Sequence, residues 1–290
     1  MNGKIKKDKG QITVYVVFFI IFILFSIYCL YPLFFCFANS LKTMEEFFEA
    51  GGGYFTLPDK WRFGNYLDIF DLFAVNGYGF WEMTWNSIWL AFGSQFLNVA
   101  ASVLVAYPLA RYKFPLKNFF YGIIIFRITV PIIGSGAAGY KFMRVLNMID
   151  NPMLYMLNFI NGFDMTALIL YGYFKGISKE YSEAAFLDGA SKLQVLFNVV
   201  LPQALPCIIA LYISHVMGRW NDYSTPMIYL RSYPNLAYGI YLFDTSAMFV
   251  PNGKAMFFGA VMLSALVPLG LFSAGQKIML TNMSVGGLKG

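Results

Sequence analysis

Residues 220–223, Trp-Asn-Asp-Tyr, set an amide, an acid and two aromatic rings within four positions. Saccharides present hydroxyls and apolar CH faces, and this mixture of groups is what a saccharide pathway needs. The same residues also suit plain helix packing, with Asn221 held by a neighbouring backbone carbonyl and Arg219 paired with Asp222 three positions on. Arg127 and Asp164 lie inside otherwise apolar stretches. A charge at membrane depth is costly and faces a cavity or a partner charge, so these two either pair or line a pathway. An acid so placed is also what a proton-coupled carrier requires. A third set, Glu183, Ala184, Ala185, Leu187, Asp188 and Gly189, joins small residues to acids between two apolar stretches.

Other chemistries lack their residues. The sequence has no G-x-x-x-x-G-K-[ST], so it has no ATP-binding P-loop of its own, and no H-E-x-x-H, G-x-S-x-G or C-x-x-C. Cys29, Cys36 and Cys207 fall in or beside apolar stretches as small buried residues, and His215 stands alone. Nothing points to an enzyme, a metal or a cofactor bound by this chain.

The elements that must position these groups are membrane spans. Of 290 residues, 58% are hydrophobic and 12% charged, against about 25% charged in ordinary soluble domains. That composition excludes disorder. The +6 charge does not call for nucleic acid, since membrane topology alone can produce it. A hydrocarbon core about 30 Å thick takes about 20 helical residues. Charge-free gaps run from Lys9 to Lys42, Glu82 to Arg111, Lys192 to Arg219 and Lys254 to Lys277, and two more apolar stretches contain only Arg127 or Asp164. The sequence therefore predicts an all-α, polytopic membrane protein with about six spans, near 12–36, 85–109, 119–140, 153–174, 205–227 and 256–275.

The first span is too long for the apolar core of a signal peptide and has no small-residue cleavage site, so it is expected to be retained. With the N-terminus inside, twelve Lys and Arg lie on inner segments (Lys4, Lys6, Lys7, Lys9, Arg111, Lys113, Lys117, Lys175, Lys179, Lys192, Lys277, Lys289) and seven on outer ones (Lys42, Lys60, Arg62, Lys141, Arg144, Arg231, Lys254). This bias sets both termini in the cytoplasm. The expected organisation is a cytoplasmic N-terminus at 1–11, a transmembrane domain at 12–280 with an acidic, Gly-rich outer loop at 38–84, and a cytoplasmic tail at 281–290.

Between spans four and five, Ser178 can cap a helix whose first turn carries Glu180, and Gly189 can end it. The spacing predicts about three turns near 178–190, outside the membrane. An ordinary amphipathic surface helix is one reading. The small Ala184, Ala185 and Gly189 also allow close entry into a partner's cleft.

Glu183-Ala184-Ala185, Gly189, Val199 and Leu201-Pro202 resemble the EAA loop of bacterial ABC importer permeases. The extended run from Glu183 to Ser191 is similar to the carbohydrate-uptake branch. Asn65-Tyr66 resembles that branch's E-N-Y, with Gly64 replacing the acid. Tyr107, Ala110-Arg111 and Phe114 resemble its A-Y-A-x-A-R-x-x-F, with Pro108 replacing an Ala. Trp220-Asn221, Tyr223 and Pro226 resemble its W-N-x-F-x-x-P. Gln276-Lys277 and the ending Gly286–Gly290 resemble the tail of the second permease in maltose-type systems.

The resemblance implies a type I ABC importer permease fold and a half-channel for sugars or oligosaccharides in the bacterial cytoplasmic membrane. A second homologous permease would complete a heterodimer. Two ABC ATPase subunits, carrying ATP and Mg, would dock on Glu183, Ala184, Ala185, Leu187, Asp188 and Gly189, and an extracellular solute-binding protein would deliver substrate. Segments 231–254 and 59–71 would be candidate contacts for that protein, and the tail 281–290 would reach between the ATPases. Trp220, Asn221, Asp222, Tyr223, Asp164 and Arg127 are the candidate substrate-pathway residues. A permease for another solute and a secondary transporter are the rival readings. No internal repeat is evident, which counts against inverted-repeat carriers.

Overall fold

A computed structural model describes residues 9–48, 53–130 and 136–283. Among the described residues, four helices are long and apolar enough to cross a bilayer. They are α1 (Lys9–Ser40), α3 (Phe80–Arg111), α9 (Lys192–Trp220) and α12 (Gly253–Met283). At about 1.5 Å per residue each exceeds the 30 Å of hydrocarbon. The remaining helices are α2 (Gly64–Leu72), α4 (Lys117–Thr129), α5 (Gly136–Val145), α6 (Pro152–Met156), α7 (Met165–Gly176), α8 (Glu180–Leu187), α10 (Ser224–Tyr229) and α11 (Leu236–Ser246). One two-stranded hairpin, β1 (Ala74–Val75) with β2 (Tyr78–Gly79), turns through Asn76-Gly77.

Two expected spans are not continuous helices. The stretch near 119–140 is helical through Thr129 and again from Gly136, with 131–135 outside the described residues. The stretch near 153–174 breaks. α6 leads into a 3₁₀ turn at Leu157–Phe159, and α7 begins only at Met165. At 13 and 12 residues, α4 and α7 measure about 20 Å each, short of a full crossing. The break is made by polar residues inside the apolar run. Asp164 leaves the helix and caps α7, its side chain accepting from Ala167 N–H at 3.1 Å. Gly162 brings the loop against α3, where a Cβ would lie 2.5 Å from the Ala101 carbonyl oxygen.

The chain forms two compact units. The first joins residues up to Phe73 with Leu242–Leu263. In it α1 is bare, exposed at nearly every position from Val14 to Tyr31, while its end packs by Phe35 and Cys36 against Phe47, Ala255 and Phe258. Lys42, fully buried, donates from Nζ to the Gly53 carbonyl and to Thr56 Oγ1, and Asn65 Nδ2 donates to the carbonyls of Ser40 and Lys42. Burial pushes the Lys42 ammonium below its ordinary pKa, against the opposing pull of Glu46 and Asp59. Residues 1–8, 49–52 and 284–290 lie outside the described residues. These cover the N-terminal lysines Lys4, Lys6 and Lys7, Gly51-Gly52 of the acidic loop, and the Gly286–Gly290 ending. Through Met283 the expected tail continues α12.

The second unit spans Ala74–Tyr241 and Ser264 onward. Its main core joins α3 (Val103, Ala106, Tyr107, Leu109), α4 (Ile124), α7 (Ala167, Leu170, Phe174) and α9 (Val195, Leu196, Val200, Ala204). α3 and α9 each carry a π-helical segment, at Trp89–Gly93 and Val195–Val200. Wide turns of this kind leave a carbonyl without its usual helical partner. The Phe92 carbonyl accepts from Tyr212 Oη of α9 at 3.1 Å.

Candidate functional site

The loop between α7 and α9 carries a helix shorter than the expected 178–190. Ser178 Oγ accepts from Glu180 N–H at 3.3 Å, and α8 runs for 8 residues, about two turns rather than three. Its end is a Schellman cap. Gly189 takes φ +83°, its N–H donates to the Phe186 carbonyl at 3.1 Å, and Ala190 N–H donates to the Ala185 carbonyl at 3.0 Å. Ser191 and Gln194 then form a reciprocal capping box that starts α9.

The surface divides cleanly. Ala185 and Ala190 face the core shared by α3, α4, α7 and α9. Glu183, Ala184, Asp188 and Gly189 are exposed, and Leu187 is 89% exposed. A Cβ on Gly189 would meet nothing within 4 Å, so within this chain the glycine serves its backbone angle. An exposed leucine beside two acids, on a short helix seated on several longer helices, is a contact surface with a rigid mount.

At the far end of α9 the four clustered residues separate into two pairs. Trp220 is buried, and Nε1 donates to the Ser264 carbonyl and Oγ, both at 3.1 Å. Asp222 lies past the helix end and holds three donors. It accepts from Arg219 Nη1 at 2.5 Å, Ser224 Oγ at 2.8 Å and Thr225 N–H at 3.0 Å. Arg219 also donates to Thr225 Oγ1 and lies 4.9 Å from the Phe159 ring centroid. These two are fixed in the structure. Asn221 and Tyr223 are exposed. Asn221 donates to the Met217 carbonyl of its own helix, and Tyr223 stacks on Tyr241 with centroids 5.0 Å apart.

Arg127 and Asp164 do not pair with each other. Asp164, beyond its cap to α7, accepts from Asn98 Nδ2 at 2.9 Å and Ser102 Oγ at 3.1 Å of α3. Arg127 donates to the side-chain oxygen of Asn161 and to the Phe163 carbonyl. Each locks the α6–α7 break to a neighbouring helix, so Asp164 sits at a helix start rather than at mid-helix.

Sequence reasoning missed Asn235, Asn98 and Asn161. Asn235 Nδ2 donates to the Asp222 carbonyl, and its Oδ1 accepts from Tyr238 N–H, which ties the start of α11 to the end of α9. Asparagine ahead of an apolar run is a helix-cap signal, and the Pro234-Asn235-Leu236 run carried it. Nothing local marks Asn98.

The long apolar helices and the exposed connecting helix define a helical membrane protein. The family model for the binding-protein-dependent transport system inner membrane component matches residues 98–276. The chain belongs to that family, and it is an inner-membrane transport component. It is 27% identical to the inner membrane ABC transporter permease protein YcjP of Escherichia coli K12, over 81% of this chain and 82% of that protein. It is 26% identical to the arabinooligosaccharides transport system permease protein AraQ of Halalkalibacterium halodurans, over 80% and 81%. A crystal structure of a bacterial ABC transporter that imports the acidic polysaccharide alginate superimposes with a TM-score of 0.79, covering 94% of this chain and 99% of that one at 20% identity, a likeness of fold.

Proposed function

We propose that this chain is one permease subunit of an ATP-driven importer for sugars or oligosaccharides, working by alternating access. A homologous permease completes the pathway, two ATPase subunits carrying ATP and Mg dock on α8, and a solute-binding protein delivers substrate at the opposite face. Both termini and α8 lie in the cytoplasm, by the bias of Lys and Arg. The observation that carries the reading is α8 itself, whose exposed Glu183, Ala184, Leu187, Asp188 and Gly189 ride on Ala185 and Ala190, packed against the helical core. A helix so mounted transmits closure of an ATPase dimer as rigid-body motion of α7 and α9, which biases the two access states. The saccharide class rests on relatives such as AraQ and on the exposed Asn221 and Tyr223.

The test is reconstitution of this chain with its neighbouring permease, ATPase and binding protein in liposomes. ATP-dependent uptake of a labelled oligosaccharide, stimulated by the loaded binding protein, is the expected result. Assembly without any saccharide uptake, but with uptake of another solute, would leave the permease role and remove the sugar. A proton-coupled carrier would show uptake abolished by a protonophore and indifferent to ATP.

A further inference from the structure

The turn between α3 and α4 holds a basic cavity that neither end of the pathway uses. Lys113, Phe114, Leu116, Lys117 and Asn118 line about 240 Å³. Lys117 Nζ donates to the Tyr112 carbonyl at 3.2 Å, which fixes the ammonium and leaves its other N–H donors for a ligand. Lys192 Nζ stands 5.4 Å from the centroid of the ring of Tyr112, the residue whose carbonyl holds Lys117. No carboxylate lines the cavity, and no ion pair among the described residues includes Lys113, Lys117 or Lys192.

Position supplies the ligand's source. The cavity follows directly on Arg111, the last residue of a 32-residue helix long enough to span the bilayer, so it lies where that helix leaves the hydrocarbon. Leu116 holds φ +66°, a left-handed angle unusual for a leucine, and stands 67% exposed, with Phe119 beyond it 62% exposed. Two outward apolar side chains beside two lysines present hydrocarbon and counter-charge together, the two halves of a phospholipid.

We propose that this cavity binds the phosphate of an anionic phospholipid headgroup. Lys113 and Lys117 supply the counter-charge, Asn118 supplies an amide donor, and Leu116 and Phe119 lie against acyl chain. Basic pockets of this kind at the membrane boundary recognise anionic headgroups.

The test is lipid retention by the assembled transporter in nanodiscs of phosphatidylcholine with a minor share of phosphatidylglycerol, read by native mass spectrometry. Each lysine near an anionic surface is worth about fivefold in affinity. The Lys113→Gln/Lys117→Gln pair is therefore expected to lose most of the retained phosphatidylglycerol, and Lys113→Arg/Lys117→Arg to keep it. Lys113→Gln alone removes an exposed side chain and gives the intermediate value even if the pair fails to assemble. Equal retention in wild type and Lys113→Gln would overturn the proposal. So would binding of inorganic phosphate by the wild type with no phosphatidylglycerol retained, which would make a free anion the ligand. Loss that follows Lys141→Gln equally would show bulk charge at work and would also overturn it.

Discussion

Ala190 donates its backbone N–H to the carbonyl of Ala185 at 3.0 Å, across a glycine at φ +83°. This closure turns the chain out of α8 and back toward α9, and both alanines pack on the helical core. The exposed residues of α8 therefore cannot shift without pulling on that core.

Replacing Gly189 acts first through its backbone angle. A β-branched residue in the left-handed region costs about 1–2 kcal/mol, whereas asparagine tolerates it. Gly189→Val is expected to disturb the cap and to separate ATP hydrolysis from uptake. Gly189→Asn should keep the cap and assembly while weakening coupling, because bulk is added to the docking face. Parallel uptake and ATPase assays in liposomes check this, and normal substrate-stimulated turnover in Gly189→Val would count against the assignment.

Asp164 caps α7 and receives two donors from α3. Asp164→Ala removes a cap worth about 0.5–2 kcal/mol and strands buried donors at about 1–3 kcal/mol more. It should lower the unfolding midpoint of the purified protein clearly. Asp164→Asn keeps a capping oxygen for Ala167 N–H and Ser102 but turns an amide donor toward Asn98 Nδ2, so it should unfold between wild type and Asp164→Ala with uptake retained. Uptake lost in a fully stable Asp164→Asn would instead favour the proton-coupled reading.

The four residues at the end of α9 should answer differently to substitution. Trp220→Ala empties a buried site and should cost about 3–5 kcal/mol. Asn221→Ala changes an exposed group and should leave stability within about 0.5 kcal/mol, and Tyr223→Leu should cost no more than the about 0.5–1.5 kcal/mol of its ring pair with Tyr241. If the pathway passes here, Tyr223→Leu raises the half-saturating saccharide concentration for uptake. Thermal unfolding beside uptake kinetics separates the two kinds of residue.

Lys42 gives the segment after α1 a pH response. Its folded pKa lies below the ordinary 10.5 because burial disfavours the charged form. Between the two values the unfolded chain binds more protons, so stability rises with pH there. The burial penalty is present in full below the folded pKa and is relieved as pH approaches 10.5. The difference in unfolding midpoint between wild type and Lys42→Met should therefore move in favour of wild type on the alkaline side, and a pH-independent difference would contradict it.

Much of this was legible in the chain because hydrophobicity and helical length are local properties. The four long helices follow from charge-free runs, and the end of α8 follows from one glycine. The broken α6–α7 stretch was not legible. Asp164 caps its own helix through Ala167 N–H, a local signal, but it takes that role because Asn98 and Ser102, more than 60 positions away, bind its other oxygen lone pairs. The same limit hid the stacking of Tyr223 on Tyr241, which joins two elements through the tertiary fold. Charge alone could not tell an Asp222 that holds three donors from an open one, since that depends on how many donors the next turn folds back.

The central claim, that α8 meets the ATPase, is most directly tested by a photoreactive residue in place of Leu187, whose side chain is 89% exposed. In the assembled complex, light should join this chain to the ATPase subunit, more strongly with nucleotide bound. Adducts only to lipid or to the second permease, in a complex that still hydrolyses ATP and takes up substrate, would contradict the account.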